Sequence, residues 1–227
     1  MLRSATTDIN FLFQKKVDLV VGAVGTKSLR DYGGLYLVHG RYLLEPAIKL
    51  DAEFASMIDV TPRPEFDVNV KAAQQVNPKL KIEFINADFR DPALYERLTK
   101  VDTSILYEVL LHQENYVGIL NYVAEATSKF ICIAQPCLRE DTFPLPSTAT
   151  LLQFWPEELK ERYREGSMWP KEPRVERFAS RYWMWGHTAS HLEACMHGLG
   201  WELEAAEAVG EIYGPYWDYL LMRFYRK

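Results

Sequence analysis

The feature that most constrains the fold is an alternation of short apolar runs with stretches of helical periodicity, sustained over residues 28–134. Each apolar run has the length of a strand, and most are followed by a segment whose apolar residues are spaced for one helix face. Strands that alternate with helices favour right-handed βαβ units and a parallel sheet. The predicted strands span residues 28–34, 54–60, 81–89, 103–111 and 130–134, and Pro136 is expected to end the last one.

The two ends of the chain extend this plan. A helix predicted over residues 8–21 lies in an N-terminal helical cap, residues 1–25. A fold analogy, not the periodicity, would place Phe11 and Gln14 of this helix where they close the ligand site from the other side. The interval 136–187 lacks the alternation and is too long for an ordinary connection, so we expect a helical lid or substrate-facing insertion. A helix is predicted over residues 188–199. It is followed by two predicted strands, 201–209 and 219–225, which form an antiparallel hairpin. The prediction is one α/β domain, residues 1–227, with a seven-stranded, mostly parallel sheet.

Composition narrows the class of function. The formal net charge of -5 argues against a polybasic nucleic-acid binder. No apolar run is long enough for a membrane span, and the N-terminus has no apolar segment typical of a secretion signal. The three cysteines, Cys132, Cys137 and Cys195, are too scattered for a disulfide framework or a zinc knuckle. We therefore expect a cytoplasmic protein without a metal, a membrane partner or a nucleic-acid partner.

Polar residues follow several predicted strands, at the edge where open parallel sheets bind ligands. A carboxylate after the second strand can accept hydrogen bonds from both hydroxyls of a ribose. A single aspartate after a strand is more often a helix cap or a turn residue. Several in register, each after its own strand, favour a nucleoside site: Asp31, Gly33 and Gly34; Asp59 and Val60; Asp88 and Phe89; Tyr107 and Glu108.

These segments resemble those of the class I S-adenosylmethionine (SAM) dependent methyltransferases. The resemblance covers roughly residues 25–135 and 188–227 and includes the final antiparallel hairpin. The segments that carry it are Ser-Leu-Arg-Asp-Tyr-Gly-Gly (28–34), Met-Ile-Asp-Val-Thr (57–61), Asn-Ala-Asp-Phe (86–89) and Ile-Leu-Tyr-Glu-Val-Leu-Leu-His (105–112). It implies a Rossmann-like fold and SAM as the cofactor. The long insertion and the acidic net charge favour a small-molecule substrate over a nucleic acid.

The resemblance also implies a role for each strand end. Asp31, Gly33 and Gly34 would form the turn under the methionine part of SAM. Asp59 would bind the ribose, and Val60 would pack on the adenine. Asp88 and Phe89 would lie at the adenine edge, and Tyr107 and Glu108 would line the reacting end.

The sequence departs from the family at the glycine-rich turn. The family's second and third glycines are Leu35 and Leu37 here, and the loop is longer than usual. A side chain at Leu35 would hold the backbone away from a ligand. We expect the loop to take another path in which Gly40 does part of the work; the alternative is weakened or lost SAM binding.

Three residues are candidates for catalysis: Tyr107, His112 and His187. A histidine at position 112, after strand four, suits a general base, although a turn histidine bonded to the backbone is equally compatible with the sequence. His187 and His191 lack the glutamate of the protease zinc motif, so no metal site is expected.

All six tryptophans lie after residue 150. Trp183 and Trp185 fall in the string Arg-Tyr-Trp-Met-Trp-Gly-His (181–187), which reads either as a hydrophobic plug or as an aromatic wall against the SAM sulfonium.

Three functions fit this pattern. The first is SAM-dependent methylation of a small metabolite. The second keeps SAM but cyclises it to azetidine-2-carboxylate, releasing methylthioadenosine; the altered glycine turn motivates it. The third is a non-catalytic protein with the SAM fold that acts by binding a partner, which Leu35 and Leu37 motivate.

Overall fold

The computed structural model describes residues 9–141, 147–151, 158, 184–210 and 216–227. Its helices are α1 (Ile9–Val21), α2 (Arg41–Lys49), α3 (Pro64–Val76), α4 (Pro92–Tyr95), α5 (Tyr116–Glu125) and α6 (Ala189–Gly198). Its strands are β1 (Ser28–Tyr32), β2 (Phe54–Asp59), β3 (Lys81–Asn86), β4 (Val101–Tyr107), β5 (Thr127–Leu138), β6 (Ala149–Leu151), β7 (Trp185–His187), β8 (Trp201–Ala208) and β9 (Trp217–Arg226).

Seven strands form one sheet in the order β3-β2-β1-β4-β5-β9-β8. β1 to β5 are parallel, with β1 in the middle of the order between β2 and β4, and β9 runs antiparallel to both β5 and β8. The predicted α/β class, the mostly parallel sheet and the C-terminal antiparallel pair are confirmed. The chain adds β2 and β3 on one side of β1 and then returns to add β4 and β5 on the other side. At this reversal a crevice forms outside the carboxyl ends of β1 and β4.

Two apolar layers cover the sheet. On one face, α1, α2 and α3 contribute core residues such as Leu19, Leu43 and Phe66. On the other face, α4, α5 and α6 contribute Leu94, Leu120 and Leu192. The central strands are buried almost throughout, as continuous apolar runs in a doubly covered parallel sheet require.

Several predicted boundaries shift for identifiable reasons. β1 and β4 end earlier than predicted, because Gly33 begins a turn and Leu110–His112 forms a short 3-10 helix after β4. Helical spacing predicts a helix over residues 66–76, and α3 begins two residues earlier, at Pro64, where a proline costs no helical hydrogen bond.

The expectation that Pro136 ends β5 is wrong. β5 continues to Leu138, and Pro136 pairs with Tyr219 of β9. The Ala134 carbonyl accepts a hydrogen bond from the Glu108 N–H, so the backbone polar groups of residue 134 point toward β4. Residues two apart in a strand point the same way, so the nitrogen of Pro136 also points toward β4. β4 has already ended there, and the missing N–H of Pro136 therefore removes no bond between strands.

Within the predicted insertion, the structure describes the end of β5, a few residues after it and a pair of short antiparallel strands, β6 and β7. Residues 142–146, 152–157 and 159–183, which include Trp155, Trp169 and Trp183, lie outside the described residues. Among the described helices, none combines the length and the apolar character that crossing a bilayer requires.

Candidate functional site

A cleft opens at the carboxyl ends of β1, β2 and β4. Four residues predicted from strand ends line it: Gly33, Asp59, Phe89 and Glu108. His112, predicted as catalytic, also lines it. The other lining residues are Leu35, Tyr36, Thr61, Arg63, Val109 and Gln113. Positions far apart in the sequence thus meet at one edge of the sheet, as parallel strand ends must.

Gly33 keeps the floor of the cleft open. Its φ is +80°, a left-handed conformation that side chains rarely adopt, and its N–H donates to the Ile58 carbonyl. A Cβ there would lie 3.0 Å from Val109 Cγ1 and 3.4 Å from Phe89 Cε1. The gap between these two apolar side chains is therefore available to a ligand only because residue 33 is glycine.

Asp59 is fixed by backbone amides from two loops. Its Oδ2 accepts from the Leu35 N–H at 3.3 Å, and its Oδ1 accepts from the Thr61 N–H at 3.0 Å. Each carboxylate oxygen can accept a further hydrogen bond, so the group is oriented and still able to bind two hydroxyls.

The loop after Gly34 takes its own path. The Leu35 side chain is buried in the core rather than held out toward solvent. Gly40, with φ +78°, donates its N–H to the Gly34 carbonyl and precedes α2. The expectation that Gly40 takes over part of the turn's work agrees with this geometry; SAM binding itself stays a prediction.

Asp31 lies beneath the turn rather than in the cleft. It is 1% exposed, and a Cβ on Gly34 would collide with its carboxylate. Within the described ranges, neither carboxylate oxygen has a hydrogen-bond partner of good geometry. Burial, and then the charge of Asp59, raise the pKa of Asp31 to about 8. The carboxyl is thus mostly protonated at neutral pH.

The two predicted residues that follow β3, Asp88 and Phe89, have different surroundings. Phe89 lines the cleft, whereas Asp88 is held by Arg90, whose Nε lies 2.8 Å from Asp88 Oδ1. Hydrogen bonding to Arg90 lowers the pKa of Asp88. Val60 is 58% exposed beside the cleft and is not among its lining residues. The predicted adenine contacts of Asp88 and Val60 stay predictions.

Glu108 joins the cleft to α1. Its backbone has φ +57°, uncommon for a residue with a side chain, and strain of this kind clusters at functional sites. Its Oε1 accepts hydrogen bonds from the Lys16 ammonium and from the Tyr219 hydroxyl. The Lys16 Nζ to Glu108 Oε1 distance is 2.5 Å.

Tyr107 faces α1 rather than the cleft. Its hydroxyl donates to the Lys16 carbonyl at 2.7 Å, and its ring packs edge-on against Tyr42. Burial raises the pKa of Tyr107 well above its usual value. The structure therefore places this predicted catalytic residue in the packing of α1 on the sheet.

The other two catalytic candidates are separated. His112 borders the cleft on the short 3-10 helix. His187 is fully buried in β7, and its Nδ1 lies 3.0 Å from Gln135 Nε2. Burial lowers the pKa of His187 to about 3, so the ring is neutral, and its Nε2 has no hydrogen-bond partner among the residues that the structure describes.

An aromatic group connects the histidines. Trp185 donates its indole N–H to the carbonyl of Gln113, a residue of the cleft rim. Tyr116 contacts the rings of Trp185 and His187 and bonds to His191 through its hydroxyl. Of the two tryptophans predicted to face the reacting centre, Trp185 lies beside the rim and Trp183 is outside the described residues.

Sequence reasoning missed Lys16. The predicted cap residues Phe11 and Gln14 are exposed on α1, whereas Lys16 is the residue that reaches the site. A signal was present: Lys16 falls four residues after Leu12 and four before Val20, in the apolar stripe of the helix. A lysine within an apolar stripe is rarely buried unless it is paired.

Within the described part of the chain, no group of three or more histidine, cysteine or acidic side chains is arranged to hold a metal ion.

Comparison with known proteins gives a fold and no close relative. No protein-family model matches the sequence, and no curated protein matches it. Among solved structures, an O-methyltransferase family protein from Burkholderia thailandensis aligns with TM-score 0.60 and 13% identity over 96% of this chain. This chain spans 57% of the length of that protein.

Two further structures contain the cofactor or its product. The 1,6-didemethyltoxoflavin-N1-methyltransferase of Burkholderia thailandensis, with bound S-adenosylhomocysteine (SAH), aligns with TM-score 0.60 and 12% identity over 94% of this chain and 77% of its own. The magnesium protoporphyrin IX methyltransferase of Synechocystis PCC 6803, with bound SAM, gives 0.55 and 14% over 97% and 82%. The chain therefore has the fold of the SAM-dependent methyltransferases.

Proposed function

We propose that this protein is a SAM-dependent methyltransferase that acts on a small molecule. The observation that carries the proposal is the cleft itself, where Gly33, Asp59, Phe89 and Glu108 meet at the carboxyl ends of β1 to β4. The solved structures of this fold that contain SAM or SAH support the choice of cofactor.

The residues present fit the cofactor. The gap at Gly33 lets the backbone approach a ligand, and Asp59 is oriented to accept from two ribose hydroxyls. Phe89 offers an apolar surface for the adenine, and Glu108 offers a carboxylate to the α-ammonium group of the amino-acid end. SAM supplies an electrophilic methyl group, so the protein's task is mainly to align donor and acceptor.

His112 is the residue best placed to receive a proton from the acceptor. It borders the cleft near Glu108 and Gln113, whereas Tyr107 is committed to α1 and His187 is buried elsewhere. We infer that His112 acts as the general base when the nucleophile must lose a proton.

The region 136–187 is proposed as the substrate side of the site, in one domain capped by residues 1–25. The pairing of β6 with β7 and the bond of Trp185 to the cleft rim support this placement. The three free cysteines fit a reducing compartment such as the cytoplasm.

Incubation of the protein with SAM, with and without cell extract, tests the function. Mass spectrometry should detect SAH only when an acceptor is present. Methylthioadenosine formed from SAM alone would instead establish intramolecular cyclisation. Binding without any turnover would support a non-catalytic role, and absence of SAM and SAH binding would overturn the proposal.

A further inference from the structure

Lys16 is buried in a place where lysine is costly. Its side chain is 3% exposed, and its Nζ lies 4.9 Å, 5.8 Å and 4.8 Å from the ring centroids of Tyr42, Tyr107 and Tyr219. Ring faces and a carboxylate replace part of the lost hydration. Burial nonetheless lowers the pKa of Lys16, opposed chiefly by Glu108. An apolar residue would pack here without that cost, so stability alone does not explain the choice of lysine.

The partner of Lys16 explains it better. Glu108 follows β4 in a left-handed conformation, and its side chain is 40% exposed toward the cleft that it lines. One oxygen, Oε1, is held from behind by Lys16 and Tyr219. The other oxygen, Oε2, makes no hydrogen bond with the described residues. The carboxylate is thus anchored on one side and offered to the cleft on the other.

The carboxyl groups at the strand ends differ in how available they are to a positively charged group in the cleft. Asp31 is covered by Gly34, and its raised pKa keeps it mostly neutral at pH 7. Asp59 also lines the cleft, and each of its carboxylate oxygens already accepts from a backbone amide, of Leu35 or Thr61. In Glu108, by contrast, one oxygen accepts both hydrogen bonds, so the other is available to a positively charged ligand group.

We propose that Lys16 is a positioning residue, which holds Glu108 so that its free oxygen binds the α-ammonium group of the cofactor's amino-acid end. This inference rests on the proposed function. Its ligand class is an adenosine with an amino-acid tail, and the neutral sulfur of SAH is accepted as well as the sulfonium of SAM. Methylthioadenosine has the same nucleoside without the amino-acid tail, so its binding should not depend on Lys16.

The test is the binding of SAM, SAH and methylthioadenosine to wild type and to Lys16→Met, by calorimetry. Hydrogen bonds to charged groups predict that this variant weakens SAM and SAH binding by about tenfold or more. Methylthioadenosine should bind within about twofold of wild type, since its contacts lie at Asp59 and Phe89. The ratio of the two losses separates positioning from a general loss of structure, which would weaken all three ligands together.

Two further variants complete the test. Lys15→Met removes the same charge from the neighbouring position, where Lys15 pairs with exposed Glu207, and should leave all three affinities unchanged. Tyr219→Phe keeps the ring and removes one hydrogen bond to Glu108, and should weaken SAH binding by about threefold. It serves as the readout if Lys16→Met does not fold.

The outcomes distinguish the two proposals. Unchanged SAH binding in Lys16→Met, or in Tyr219→Phe where the first variant is unfolded, overturns the role of Lys16. An equal loss for SAH and methylthioadenosine in a folded variant does the same. If wild type binds methylthioadenosine but not SAH, the Lys16 inference fails while the nucleoside site stands. If wild type binds none of the three, the proposed function has failed.

Discussion

The ends of β1 and β2 carry the same residue type in opposite circumstances. Asp31 is enclosed beneath Gly34 without a hydrogen-bond partner of good geometry, and burial raises its pKa to about 8. Asp59, at the end of the neighbouring strand, is partly exposed in the cleft and held by two backbone amides. The difference shows that a position at the end of a strand does not by itself determine whether an aspartate is charged and accessible. The loop that follows decides whether its carboxylate meets solvent or backbone.

The largest effect expected from this comparison is at Asp59. Asp59→Ala removes the acceptor for the Leu35 and Thr61 amides and for the proposed ribose contact, so SAH binding should weaken by about 100-fold. Calorimetry measures it, with Asp67→Ala on the exposed side of α3 as the matched loss of charge. A loss below about threefold would show that Asp59 does not bind the cofactor.

A substitution at Gly34 tests whether the Asp31 carboxyl is enclosed by the turn above it. In Gly34→Ala the new Cβ would lie 1.9 Å from Asp31 Oδ2, so overpacking should lower the free energy of unfolding by about 1–3 kcal/mol. Denaturant unfolding measures this change. Gly198→Ala, whose Cβ meets nothing within 4 Å, should be neutral or stabilising. Combining Gly34→Ala with Asp31→Ala should recover part of the loss, and no recovery would argue against the close contact.

Asp31→Asn should stabilise the protein, in a pH-dependent way. Because the folded-state pKa of Asp31 is raised from 3.8 to about 8, the folded state binds the proton more tightly than the unfolded state. This group therefore lowers stability progressively as pH rises between these values. The variant should gain about 1–2 kcal/mol near pH 8, or roughly 2–8 °C in Tm.

Thermal unfolding at pH 5, 6.5 and 8 measures that gain, which should shrink toward pH 5. A difference between variant and wild type that does not change with pH would contradict a raised pKa of the buried Asp31 carboxyl.

The smallest effect is expected at the third strand end. Arg90→Ala releases Asp88 from an exposed ion pair, which should change the free energy of unfolding by less than about 1 kcal/mol. If Asp88 contacts the adenine, methylthioadenosine should bind about equally well or up to about threefold more tightly in this variant, because the carboxylate is no longer engaged. A marked weakening would instead assign the contact to Arg90.

Much of the architecture was predictable because periodicity reflects burial. Alternating strand and helix segments predicted the succession of β1 to β5 along the chain and the hairpin of β8 and β9, and the structure confirms both. The expectation that Pro136 ends β5 is wrong because a proline interrupts a strand only where its missing N–H would have bonded to a neighbouring strand. Whether such a neighbour is present at Pro136 depends on where β4 ends. Local sequence does not contain that information.

The candidate site divides in the same way. Topology brings the strand ends together, so the gathering of Gly33, Asp59, Phe89 and Glu108 followed from order along the chain. The turning of Tyr107 toward α1 and the burial of His187 depend on packing between distant segments, and their roles were not predictable from spacing.

The sequence by itself determined the class of sheet and the edge at which the candidate site lies, because both follow from the repeat of apolar residues along the chain. Only the tertiary structure decided which carboxylates are charged and which are enclosed. Lys16 and Glu108 are 92 positions apart, and their pairing, like the isolation of Asp31, arises from desolvation among segments that meet only in the folded protein.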